Sequence, residues 1–152
     1  MNEQSFGGPY VQVAAICTTP LIEQGGLLSV IRIQDRIQLM GPTDRMQPVP
    51  LMNLWLLICL KSGEMRGQQQ LTVTPNDPEG KALPSVSFAT FFGGDEQGGV
   101  TAFPLNIVIE REGLYWFDVT MQQQLLTRIP LRVMYQKLQM MPGMVIPPSP
   151  HS

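Results

Sequence analysis

Histidine is almost missing from this chain: the only one among 152 residues is His151. The body of the sequence therefore has no Ser-His-Asp or Cys-His nucleophile system and no His ligand for zinc or haem. Charge is scarce as well. Asp, Glu, Lys and Arg make up 14% of residues, against about a quarter in ordinary globular chains. Glutamine fills much of the gap, with triplets at Gln68-Gln69-Gln70 and Gln122-Gln123-Gln124. The net charge is −2 and the pI is near 5.3. With no basic stripe, the expected partners include no nucleic acid and no membrane surface. Only two cysteines occur, Cys17 and Cys59, too few for a disulfide scaffold. Both sit in apolar runs and read as buried, reduced side chains, with a single cross-sheet disulfide left open for an exported protein.

Long hydrophobic runs are absent too. The most apolar stretch, residues 51–60, is half the roughly 20 residues a spanning helix needs. Residues 1–8 carry Glu3 and no Lys or Arg, so they lack the positive lead of an export signal. The expected location is cytoplasmic. The paired glycines at 7–8, 25–26, 93–94 and 98–99 match neither the phosphate-loop nor the dinucleotide pattern. They read as turns, and no cofactor site is expected.

What the chain does have is alternation. About eight apolar-alternating segments, near 10–17, 28–39, 51–61, 68–74, 86–92, 103–109, 115–121 and 129–133, are separated by Gly- and Pro-rich turns. Short strands at regular spacing predict an all-β, two-sheet antiparallel sandwich with no long helix. Within 28–39, Ile31, Ile33, Ile37 and Leu39 share one face of a single half-buried strand. Residues 51–61, including Trp55, read as a central, well-covered strand, and 68–74 as an edge. Pro130 removes a ladder donor, so the last strand is expected at an edge or with that side unpaired. The domain reading is a flexible N-terminus over 1–8, a sandwich over 9–136 and a Met/Pro-rich C-terminal tail over 137–152.

Few side chains carry chemistry. Asp77 and Glu79 in one turn, and Asp95 and Glu96 in another, are weak candidates for a calcium or ligand site. In an up-and-down strand order the two turns fall at opposite ends of the sandwich. Asp35 breaks the apolar face of 28–39. A bulge would turn it outward, an inward charge would guard a sheet edge, or Arg36 or Arg128 would pair with it. A functional acid is the remaining reading. Trp116 is expected on an outer face beside Arg128 and Arg132 as an interaction spot, unless a loop or the tail covers it. Met140, Met141 and Met144 in the tail are further contact candidates.

Two stretches carry a resemblance. Gly113-Leu114-Tyr115-Trp116-Phe117 resembles the penultimate strand of immunoglobulin-like sandwiches, where a tyrosine closes a corner; Phe117 stands at the usual cysteine. The opening hairpin, with Gly26-Leu27-Leu28-Ser29 and Asp35-Arg36-Ile37, together with that last hairpin, resembles a family of small, functionally uncharacterised bacterial β-sandwich proteins. The resemblance implies the fold and a bacterial source, and no catalytic residue. Function is therefore expected to be binding, as a protein-interaction or accessory module with an unknown protein partner. It would include a homo-oligomer formed through an edge strand or the tail. A loop-carboxylate ligand or calcium sandwich, and a structural subunit of a larger assembly, are the alternatives. An enzyme is not expected.

Overall fold

The structure is a computed structural model that describes residues 7–25, 27–95 and 98–139. Glu96, Met140, Met141 and Met144, and most of the N-terminal segment 1–8, lie outside the described residues. Eleven strands and no helix occur among the rest: β1 (Tyr10–Ile22), β2 (Leu28–Ile33), β3 (Arg36–Gly41), β4 (Val49–Pro50), β5 (Trp55–Lys61), β6 (Arg66–Asn76), β7 (Val86–Gly93), β8 (Gly98–Pro104), β9 (Val108–Ile109), β10 (Gly113–Met121) and β11 (Gln124–Lys137). They build a four-stranded sheet in the order β2-β1-β5-β8 and a five-stranded sheet in the order β3-β11-β10-β6-β7. A short β4-β9 pair completes the fold. The protein is an all-β, immunoglobulin-like sandwich.

The core lies between the two sheets and follows the alternation. From β10, Tyr115, Phe117, Val119 and Met121 point inward; from β11, Ile129, Leu131 and Val133 do so; from β5, Leu56, Ile58 and Leu60 meet them. Each such side chain contributes about 1.5–3 kcal/mol by leaving water. The immunoglobulin-like corner is present: the Tyr115 hydroxyl donates to the Arg111 carbonyl at 2.8 Å, four residues upstream, closing the entry into β10.

Four local expectations change. First, residues 28–39 are two strands in different sheets. Gln34 N–H donates to Ile16 O at 2.8 Å in one sheet, and the very next residue, Asp35, accepts from Arg132 N–H at 2.9 Å in the other. Alternation continues across this switch because it records which side is buried, not which sheet is paired. Ile31 and Ile33 are accordingly exposed rather than in the core. Second, β6 is interior, between β10 and β7; its weak alternation reflects an outer face of Gln and Thr. Third, β11 is interior as well, between β10 and β3. Pro130 is still accommodated, because its nitrogen points the same way as that of Arg132, toward β3. The β3 pairing begins only at Arg132, so no donor is missed. Fourth, that β3–β11 pair is parallel, the one parallel ladder among the described strands.

Candidate functional site

Asp35 is on the surface, with its side chain 75% exposed and 3.5 Å from Arg36 Nε. The chain turns outward at the sheet switch, so no buried charge exists there. Arg128 pairs elsewhere. Its Nε donates to Asp118 Oδ1 at 2.7 Å, and its guanidinium lies 4.8 Å from the Trp116 ring centroid. Asn76 Nδ2 donates to the second Asp118 oxygen at 3.1 Å. Trp116 and Arg128 thus do share the outer face of the five-stranded sheet, but they contact each other, and Trp116 is half-buried. Arg132, opposite Leu114, is exposed on the same face. Much of this face is polar, with hydroxyl pairs linking Thr72 to Ser87 at 3.0 Å and Thr74 to Ser85 at 2.8 Å, while Phe91 on β7 is an apolar side chain exposed on it.

The turn carboxylates have protein partners. Asp77 Oδ1 accepts from the backbone N–H groups of Glu79 at 2.9 Å and Lys81 at 2.8 Å, which is how an aspartate fixes a turn. Glu79 is ion-paired with Arg111. Asp95 pairs with Arg66 at 3.5 Å. Arg66 begins β6, and Asp77 directly follows its end; eleven residues at about 3.3 Å each put the two turns roughly 35 Å apart. Among the described residues no three His, Cys, Asp or Glu side chains gather closely enough to hold a metal ion. A hollow of about 320 Å³ lies beside Asp77, Lys81, Arg111 and Tyr115, where burial raises the Tyr115 hydroxyl above its ordinary pKa.

Sequence reasoning missed a different surface. On the outer side of the four-stranded sheet, β1 contributes Val13, Ala15 and Cys17, which stand opposite Cys59, Leu57 and Trp55 of β5. Those three in turn stand opposite Val100, Ala102 and Pro104 of β8. At the free edge, β2 adds Ile33 opposite Cys17 and Ile31 opposite Thr19. None of these positions is charged. Ile33 is 66% exposed, Ile31 43% and Val100 38%, so the face is apolar and is exposed along its β2 and β8 margins, while Ala15 at its centre is buried. Cys17 and Leu57 are fully buried yet stand outside the inter-sheet core. The signal was in the sequence: 13–17 and 54–60 are apolar at successive positions, not alternate ones. Such runs mean strands covered on both faces.

The two thiols lie on this same face. Cys17 is opposite Trp55, four residues from Cys59, or about 13 Å along the strand, well beyond disulfide reach. Both are free. Burial pushes the Cys17 thiol up, while half-buried Cys59 donates to Gln12 Oε1 at 3.3 Å.

No helix among the described residues is long and apolar enough to cross a membrane. No curated protein matches the sequence. Among solved structures, a β-glucosidase from Listeria innocua in complex with glucose overlays with a TM-score of 0.46 at 10% identity. The match covers 85% of this chain but only 17% of the glucosidase. An immunoglobulin-like protein from Pseudomonas aeruginosa overlays with a TM-score of 0.44 at 13% identity, covering 85% of this chain and 98% of its own. At the level of sequence, a family of unknown function, DUF6941, matches residues 12–134, and the chain belongs to that family.

Proposed function

We propose that this protein is a non-catalytic interaction or accessory module that binds a protein partner through the apolar outer face of its four-stranded sheet. The observation that carries the reading is the contrast between the two outer faces. One is laced with Thr, Ser, Asn, Asp and Arg side chains already bonded to one another, with Phe91 a single strongly exposed aromatic on its outermost strand, β7. The other presents Ile31, Ile33, Trp55 and Val100 with no charge among them. Exposed apolar side chains grouped on one sheet face mark a contact surface. The β2 edge beside it, unpaired among the described strands, adds main-chain donors and acceptors.

Affinity capture from host lysate with three baits tests this. The native chain and Trp116→Ala are expected to retain the same protein, and an Ile31→Asp/Ile33→Asp chain of unchanged circular dichroism is expected to lose it. Capture that survives the Ile substitutions but fails with Trp116→Ala would move the site to the other sheet. Turnover of a substrate by the purified chain would replace the reading altogether.

A further inference from the structure

We propose that β7 is a self-association edge: two copies of this chain pair their β7 strands antiparallel about a two-fold axis at Ala89, joining two five-stranded sheets into one. The site is separate from the apolar face of the four-stranded sheet, and it stands or falls without that reading.

Edge strands are ordinarily guarded by a charge, a proline or a kink. Among the described strands, the other edges of the two large sheets follow this rule. β2 carries Arg32, which also takes a φ of 56°; β3 begins with Arg36; β8 ends on Pro104. β7 has none of these. No residue from Ala82 to Gly94 is ionisable, and Val86–Gly93 contains no proline. Its three phenylalanines, valine and threonine favour strand pairing, and its register against β6 is unbroken. Phe91 is 71% exposed and Val86 49%. Along the same side, a hollow of about 290 Å³ opens between the sheets, lined by Pro84, Val86, Phe103 and Ile107 among others.

The ladder fixes which main-chain groups are free. Asp77 N–H donates to Lys81 O, and Leu83 N–H to Pro75 O, so the odd-numbered residues of β6 turn their main-chain groups toward β7. Their partners Val86, Phe88, Thr90 and Phe92 turn back toward β6, because such pairs exchange their bonds. Ser87, Ala89 and Phe91 therefore aim N–H and C=O away from the sheet. Their side chains share its outer face, as the Thr72–Ser87 bond shows.

These groups are self-complementary. With the axis at Ala89, Ala89 stands opposite its copy, and each Phe91 stands opposite the Ser87 of the partner copy. The largest side chain meets a small one, and all six outward groups of each strand find partners. No charge loses water, and the antiparallel sense sets the Lys81 end of one copy against the Asp95 end of the other. Eight residues run about 26 Å, and two sheets about 10 Å apart with their outer side chains are about 20 Å deep. The pair buries about 1,000 Å² in total, at the low end for specific interfaces, so association is reversible and grows with concentration.

Sedimentation velocity of the full chain over a hundredfold range of concentration tests this. The native chain is expected to move from 16.9 kDa toward twice that mass. Ala89→Lys, which sets two like charges at the axis, is expected to stay a monomer. Ala89→Pro, which removes an outward N–H and no bond to β6, is expected to do the same. The Ile31→Asp/Ile33→Asp chain is expected to dimerise like the native one. A native chain that stays at one mass throughout would overturn the pairing and leave the partner reading to the capture experiment. Dimers that survive both Ala89 substitutions but are lost with Ile31→Asp/Ile33→Asp would also overturn it, and would place the second copy on the four-stranded sheet.

Discussion

Tyr115 and Asp35 show how differently two residues singled out by the sequence can weigh. Tyr115 is 1% exposed, and its hydroxyl satisfies the Arg111 carbonyl. Tyr115→Phe is expected to lower stability by about 1 kcal/mol, the net worth of such a bond, read as a reduced urea midpoint at unchanged slope. Burial raises the folded-state pKa of this hydroxyl above the ordinary value of 10.0, so the unfolded chain gives up the proton first. The corresponding stability is full below about pH 10 and is lost as pH rises through the raised folded value. The native chain should therefore lose stability more steeply than Tyr115→Phe across that alkaline window. Asp35 is the opposite case. Its pairing with Arg36 is exposed, and such pairs contribute little. Asp35→Asn is expected to shift unfolding by less than about 0.5 kcal/mol; a large loss in thermal unfolding would contradict the surface placement.

At the scale of elements, the last hairpin was the most legible part. Strict alternation from Tyr115 to Met121 and from Ile129 to Val133 has one solution, and the glutamine triplet supplies the turn. Gln122 and Gln123 both take positive φ, 50° and 65°, the two-residue turn whose twist suits a hairpin and which glycine prefers at its second position. Gln123→Gly, which keeps the Gln122–Gln69 side-chain bond of 2.9 Å, is expected to raise stability by about 0.5 to 1 kcal/mol. An unchanged or lower denaturation midpoint would contradict the turn assignment. Strand neighbours were less legible. The edge positions expected for residues 68–74 and for the last strand failed because alternation reports burial of a face, and hydrogen-bonded neighbours lie in the perpendicular direction. Pro130 illustrates the point: a missing donor constrains one side of a strand over one residue, and β3 begins two residues later. The sheet switch at Gln34–Asp35 was hidden for the same reason, with Asp35 its only trace in the sequence.

For the whole molecule, the resemblance carried by the two hairpins pointed to an uncharacterised family with this fold, and family and fold are the parts of the sequence reading that stand. The proposed interaction surface was legible only indirectly. The outward Trp116 drew attention because aromatic residues mark contacts, yet Arg128 and Asp118 hold it within a polar network. The apolar face was concealed by being spread over β1, β2, β5 and β8, which are distant in sequence and adjacent only in the folded sheet. Two runs apolar on both strand faces were its signature. The central claim is that binding uses this face and not the other. Once the captured protein is identified, the direct measurement is its dissociation constant for the native chain, for Ile33→Asp, and for Phe91→Asp, a 71% exposed apolar residue on the outer face of the five-stranded sheet. The account predicts at least about tenfold weaker binding for Ile33→Asp, equivalent to roughly 1.4 kcal/mol, and no more than about a twofold change for Phe91→Asp. Weakening by Phe91→Asp with Ile33→Asp unaffected would contradict it.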